Sequence, residues 1–169
     1  VFLPFIKRLP PTLAIKLMLI GAVQLGVMYI FYYHSFLFLS VPEVLLFTVM
    51  TPLYITLLND TLNKQFNPQF FIVALIAVLG AVAIRYENLD NDFWLGLLLV
   101  QGANLSFATG QVTYKRLMQG KEFDDKAAFS WFFIGALIVA GLCYALFGNP
   151  GKLPSTNTQW GILIYLGVV

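Results

Sequence analysis

Apolar stretches approaching the length of a bilayer crossing recur from one end of this chain to the other, separated by short polar connectors. A helix needs about 20 apolar residues to cross roughly 30 Å of hydrocarbon, where no water satisfies an exposed backbone. The pattern predicts five spans, approximately Leu13 to Leu39, Val44 to Leu58, Phe70 to Ile84, Phe93 to Leu117 and Ala127 to Phe147, with a sixth beginning at Trp160. The second and third are short by the length rule, and either alone reads equally well as a buried soluble helix. Their neighbours favour spanning. With 59% hydrophobic and 11% charged residues, too little polar sequence remains to cover these stretches in water. The expectation is an all-α integral membrane protein, a polytopic helix bundle covered by the lipid bilayer.

Turn and charge signals fall in the connectors, at Leu9-Pro10-Pro11, Val41-Pro42-Glu43, Asn59 to Pro68, Arg85 to Asp92, Lys115 to Lys126 and Gly148 to Gln159. If the spans alternate, one side holds Lys7, Arg8, Lys16, Lys64, Lys115, Arg116, Lys121 and Lys126, and the other holds Arg85 and Lys152. That imbalance puts the Asn59 and Lys115 connectors in the cytoplasm by the positive-inside rule, with a bacterial inner (plasma) membrane as the setting. The net charge of +2 is small and its basic residues sit at span ends, which gives nucleic-acid binding no support. Trp94, Trp131 and Trp160 lie near span starts, where indole rings anchor helices at the headgroups. Cys143 stands alone in an apolar run and reads as packing. A chain that opens on Val1 without a leader and stops inside an apolar run reads as an internal fragment.

No Gly-x-Ser-x-Gly, phosphate loop or His-Glu-x-x-His is present, and one histidine cannot build a multi-histidine metal site. No enzyme activity, catalytic residue, metal or cofactor is expected. Attention falls instead on polar residues inside the spans, which are costly there and usually face the bundle interior. Gln101, Asn104 and Gln111 share a stripe with Ala108 and either line an aqueous cavity or bond neighbouring helices. Gly102, Ser106 and Gly110 recur every four residues on a different face, a pattern that lets helices approach closely. Gly21, Ala22 and Gly26, and Gly135, Ala136 and Ala140, suggest further close contacts.

Pro52 breaks the second span by removing a backbone donor, and short, proline-interrupted spans point toward binding sites. Thr48, Thr51 and Tyr54 surround the break and offer hydroxyls either to a substrate or to the freed backbone. Glu43 suits a helix N-terminus, with gating or proton handling as its functional alternative. In the first span Gln24, Met28, Tyr32 and Ser35 share one stripe and His34 lies to its side. Tyr32, Tyr33 and His34 either contact the solute by stacking and hydrogen bonding or anchor the helix at the interface. Leu163 to Val169 aligns with Leu17 to Val23, glycine for glycine, a trace of an inverted repeat.

Phe31-Tyr32-Tyr33-His34-Ser35-Phe36, the turn Ser40-Val41-Pro42-Glu43, Thr51-Pro52-Leu53, Gly80, Gly96, Ser106-Phe107-Ala108 and Lys115-Arg116 together resemble the drug/metabolite transporter superfamily, specifically its EamA-type ten-helix carriers. Gln65 stands where that family often has Glu, and Val73 or Ala74 where it usually has glycine. The resemblance implies helices three to early eight of a 5+5 inverted-repeat transporter, with residues 1–88 holding the rest of one repeat and 89–169 the start of the next. It also implies an exporter of small metabolites such as amino acids, with a coupling proton as a further partner. The alternative is a non-transporting membrane scaffold or assembly subunit whose polar stripes only join helices.

Overall fold

A computed structural model of the chain describes residues 7–64, 68, 69, 72, 73, 76, 79, 80, 83, 91–120, 124–149, 151 and 153–168. The described elements are helical: α1 (Pro11–Gly21), a π-helical segment (Ala22–Val27), α2 (Met28–Ser35), α3 (Val41–Thr48), α4 (Thr51–Asn63), α5 (Asn91–Met118), α6 (Asp125–Phe147) and α7 (Asn157–Val168). Among the described residues four stretches are long and apolar enough to cross a membrane: Pro11–Ser35, Val41–Asn63, Asp92–Met118 and Asp125–Phe147. The chain is an integral membrane helix bundle. The span expected from Phe70 to Ile84 falls largely outside the described residues.

Local chemistry explains the helix starts. Pro11 opens α1 at a position whose N–H would have no helical partner, and the Pro10 carbonyl accepts from Leu13 and Ala14 at 2.9 and 3.0 Å. Ser40 and Glu43 form a reciprocal capping box at α3, the Glu43 carboxylate accepting from the Ser40 backbone N–H and hydroxyl at 2.7 Å each. Asp124 caps α6 by accepting from the Lys126 N–H at 3.1 Å.

The second span is corrected in length: it runs 23 residues rather than stopping near Leu58. Its polar end, Asn59 to Asn63, is ordinary helix in α4, closed by Lys64 in the left-handed conformation at φ 54°. Polar side chains end an apolar run without ending a helix. A break is present where one was expected: α3 and α4 are separated at Val49 and Met50, and α4 opens on Thr51-Pro52.

Packing identifies which ends lie together. Lys7 forms an ion pair with Asp124 and accepts, through its carbonyl, the Trp131 indole N–H at 3.1 Å. Leu13, Leu17 and Ala128 form a core bordered by Tyr114 and Leu117. Arg116 donates to the Asn63 side chain at 2.6 Å. So α1 and α6 start at the end where α4 and α5 finish. The other end is a core of Leu39, Val44, Phe47, Phe93 and Val100, where α3 and α5 begin. Lys7, Lys64, Lys115, Arg116 and Lys126 thus gather at one end, as expected from alternating spans. Helix contacts run freely across the residue 88/89 division, α1 packing on α6 and α2 on α5.

Small residues make the closest crossings. A Cβ on Gly21 would lie well inside 3.0 Å of the Phe132 carbonyl, and one on Gly135 would meet the Met18 carbonyl equally hard. Two backbones therefore touch reciprocally, without side chains between them. Gly110 seats the Gln24 side chain, whereas Gly102 meets only the Phe31 ring at 3.3 Å. The Ser106 hydroxyl is held by the Gly102 carbonyl at 2.8 Å within its own helix.

The Lys7 ammonium, followed by the Lys126 backbone N–H, holds the exposed Asp124 carboxyl below the usual carboxylate range. A depressed native pKa means that the contact's contribution is complete above the unfolded value of about 3.9 and is lost as pH falls through the native value. In a variant retaining only Trp131 among the tryptophans, indole emission is expected to stay constant from neutral pH to about 5 and change below about 4. Asp124→Asn is expected to remove that acid transition, and its persistence would assign the change elsewhere.

Candidate functional site

Where α2, the α3–α4 break and α5 meet, a cavity of about 270 Å³ is lined by Met28, Tyr29, Tyr32, Thr48, Thr51, Ala103, Asn104 and Phe107. The break builds its floor. Pro52 lacks the N–H that would bond the Thr48 carbonyl, and the Thr51 hydroxyl reaches that carbonyl at 2.7 Å instead. The Phe47 carbonyl accepts from the Met50 N–H at 3.2 Å and from the Asn104 amide at 2.9 Å. Asn104 is 3% exposed, also donates to Gln101 at 3.3 Å, and stands 3.0 Å from the Thr51 hydroxyl. Its amide therefore ties α5 to the broken helix from inside the bundle. The threonine protons are taken up by the Leu45 and Thr48 carbonyls and the Asn104 oxygen, while both side chains border the cavity.

The opposite wall is aromatic. Tyr32 meets Tyr29 edge-on at 6.5 Å and Phe36 at 5.1 Å between ring centres, which holds its ring beside the cavity. Tyr33 is exposed and stacks on Tyr29 at 5.5 Å. His34 is also exposed, its Nδ1–H donating to the Ile30 carbonyl of its own helix at 2.8 Å. The aromatic cluster is thus divided by helix geometry, Tyr32 facing inward while Tyr33 and His34 do not line the cavity.

Four of the expected pathway residues, Tyr32, Thr48, Thr51 and Asn104, come together here. Tyr54 is half-buried outside the lining. Gln101 borders Asn104, with its Nε2 buried and unpartnered. Gln111 is exposed, since the Gln101 stripe turns out of the bundle toward the far end of α5. Gln24 lies one turn beyond Met28, is 7% exposed, and leaves its Oε1 without a partner. It sits in the π-helical segment, a distortion with no sequence signal, where an extra residue per turn shifts the facing side chains. Met28, Tyr29, Ala103 and Phe107 were not anticipated as lining. Apolar residues in an apolar span carry no mark of which neighbour they meet. Glu43, 8% exposed, serves its helix cap and is not among the lining residues. No acidic, basic or histidine side chain lines the cavity among the described residues.

Over its whole length the chain is 50% identical to a biotin transporter of Salmonella typhimurium and 49% identical to a biotin transporter of Escherichia coli K12. It is 46% identical to a probable biotin transporter of Pseudomonas aeruginosa. The chain spans 58% of the length of the first two relatives and 60% of the third. No family model and no solved structure matches it. These relatives are named transporters, not enzymes, and the scaffold alternative gains nothing from them. The EamA-type assignment is corrected: the whole-chain relatives are named biotin transporters, and no family model supports the label. Its motifs were short combinations of proline, glycine and aromatic residues, which any closely packed membrane bundle uses. Amino-acid export rested on that resemblance alone and falls with it.

Proposed function

We propose that this chain forms part of a bacterial inner-membrane transporter for biotin, with the cavity between α2, the α3–α4 break and α5 on the solute's path. The single observation that carries this reading is the whole-chain identity to bacterial proteins named biotin transporters. The cavity adds physical support. Small-molecule sites run from about 300 to 1,000 Å³ and combine mostly apolar walls with a few placed polar groups. At about 270 Å³, with aromatic rings facing two hydroxyls and an amide, this one suits a compact solute with an apolar body and a polar ring. The Leu17 and Leu163 segments further support an inverted repeat within the same reading.

Labelled biotin accumulation in bacteria lacking their own carrier and producing the complete protein tests the proposal. The parental protein is expected to accumulate biotin, and Tyr32→Ala to lower the rate about tenfold at equal membrane abundance, through lost aromatic contact. His34→Ala is expected to keep most of the rate, because its imidazole does not line the cavity. No accumulation by the parental protein would overturn the biotin reading. Greater loss from His34→Ala than from Tyr32→Ala would remove the cavity from the path.

A further inference from the structure

The polar wall of the cavity has a direction that its residue types alone do not disclose. A threonine hydroxyl carries one proton and two lone pairs, and an asparagine amide carries two donors. The Thr48 hydroxyl donates to the Leu45 carbonyl at 2.7 Å. Thr51 has its one proton directed to the Thr48 carbonyl at 2.7 Å or to the Asn104 oxygen at 3.0 Å. The two amide protons of Asn104 go to the Phe47 carbonyl at 2.9 Å and the Gln101 oxygen at 3.3 Å. Every proton on this wall is committed within the protein. What remains for a solute is oxygen lone pairs.

From this we infer that the cavity takes biotin by its ureido ring, with the carboxylate directed away from Thr48, Thr51 and Asn104; the inference rests on the biotin reading above. The ureido ring carries two N–H donors, the complement of an acceptor wall. An ionised carboxylate only accepts hydrogen bonds, so the same wall would leave it unpaired, and no cationic side chain among the lining residues compensates for its burial. Tyr29 and Tyr32, which also line the cavity, carry phenol donors of the kind that the carbonyl between the two ureido N–H groups needs. A site built to pair N–H groups rejects analogues lacking them, because its own oxygens are then left without partners.

The test is competition against labelled biotin uptake by the complete protein, using a ring-N-methylated analogue and an analogue with the carboxylate converted to a primary amide. With the parental protein, ring methylation is expected to weaken competition about tenfold relative to biotin, the effect of one lost hydrogen bond with its unpaired partner. In Thr51→Val that gap is expected to close to within about threefold, since the variant no longer distinguishes the methylated ring. The gap shown by the carboxylate amide is expected to be the same in both proteins, and Thr51→Ser to keep the parental pattern. Thr48→Val provides the same comparison if Thr51→Val does not reach the membrane. A carboxylate gap that closes while the ring gap persists would reverse the docking, and two unchanged gaps would take the threonines out of contact with the solute. Absence of uptake by the parental protein is a separate outcome, which overturns the biotin reading and this inference with it.

Discussion

Gly135→Ala is expected to loosen the whole bundle, although it adds only one methyl group. The added carbon would fall on the Met18 carbonyl, a backbone atom that cannot rotate aside, so the first span and α6 must separate along their crossing. Overpacking of this kind costs about 1–3 kcal/mol and more where backbone must move, and Gly21→Ala meets the reciprocal obstacle at the Phe132 carbonyl. Gly141→Ala, in the same helix, meets nothing within 4 Å and gains up to about 1 kcal/mol from helix propensity. Thermal unfolding in detergent should therefore move in opposite directions for the two substitutions. Equal behaviour would mean that the α1–α6 crossing is not the close contact described.

Asn104→Leu is expected to have the largest effect on transport. Leucine keeps the approximate volume but offers no donor to the Phe47 carbonyl and none to Gln101, whose own Nε2 already lacks a partner. Leaving a buried polar group unpaired costs about 1–3 kcal/mol, with interhelical hydrogen bonds in membranes toward the low end. Stability should fall by about 1 kcal/mol, and under the proposed function biotin uptake by the complete protein should fall below about a tenth of the parental rate, because cavity wall and helix break lose their common fastener. Asn104→Asp tests the donor requirement directly: a carboxylate there accepts where the amide donated, against the Phe47 carbonyl. Uptake by Asn104→Leu at the parental rate, with normal membrane abundance, would show that the solute passes elsewhere.

The residues that were legible in the sequence share one property: their effect is set by the residue itself. Pro52 breaks its helix wherever the partner helices lie, because the missing N–H belongs to proline. Ser40 and Glu43 cap α3 through contacts three residues apart. Gly21 and Gly135 announced close approach, since only a missing side chain lets backbones touch. Gln24, Met28, Tyr32 and Ser35 share one stripe by their spacing, and in the structure that stripe turns inward, with Ser35 fully buried and Met28 and Tyr32 at the cavity. By contrast, Gln101, Asn104 and Gln111 looked equivalent on one stripe, and the structure separates them into a neighbour, a wall and an exposed side chain.

What the sequence by itself determined is the membrane as solvent, the existence of the four described spans and the approximate extent of three of them, the position of the break and the faces that admit close contact. These follow from transfer free energies and backbone geometry, which act on each residue or each helical turn separately. Only the tertiary structure decided which small face meets which. Gly110 seats Gln24 rather than an opposing glycine, and Tyr29, Ala103 and Phe107 become cavity walls. Inside lipid the hydrophobic effect does not discriminate one apolar helix face from another. Partner choice is left to close packing and a few interhelical hydrogen bonds, which exist only between pairs of surfaces once the helices have met.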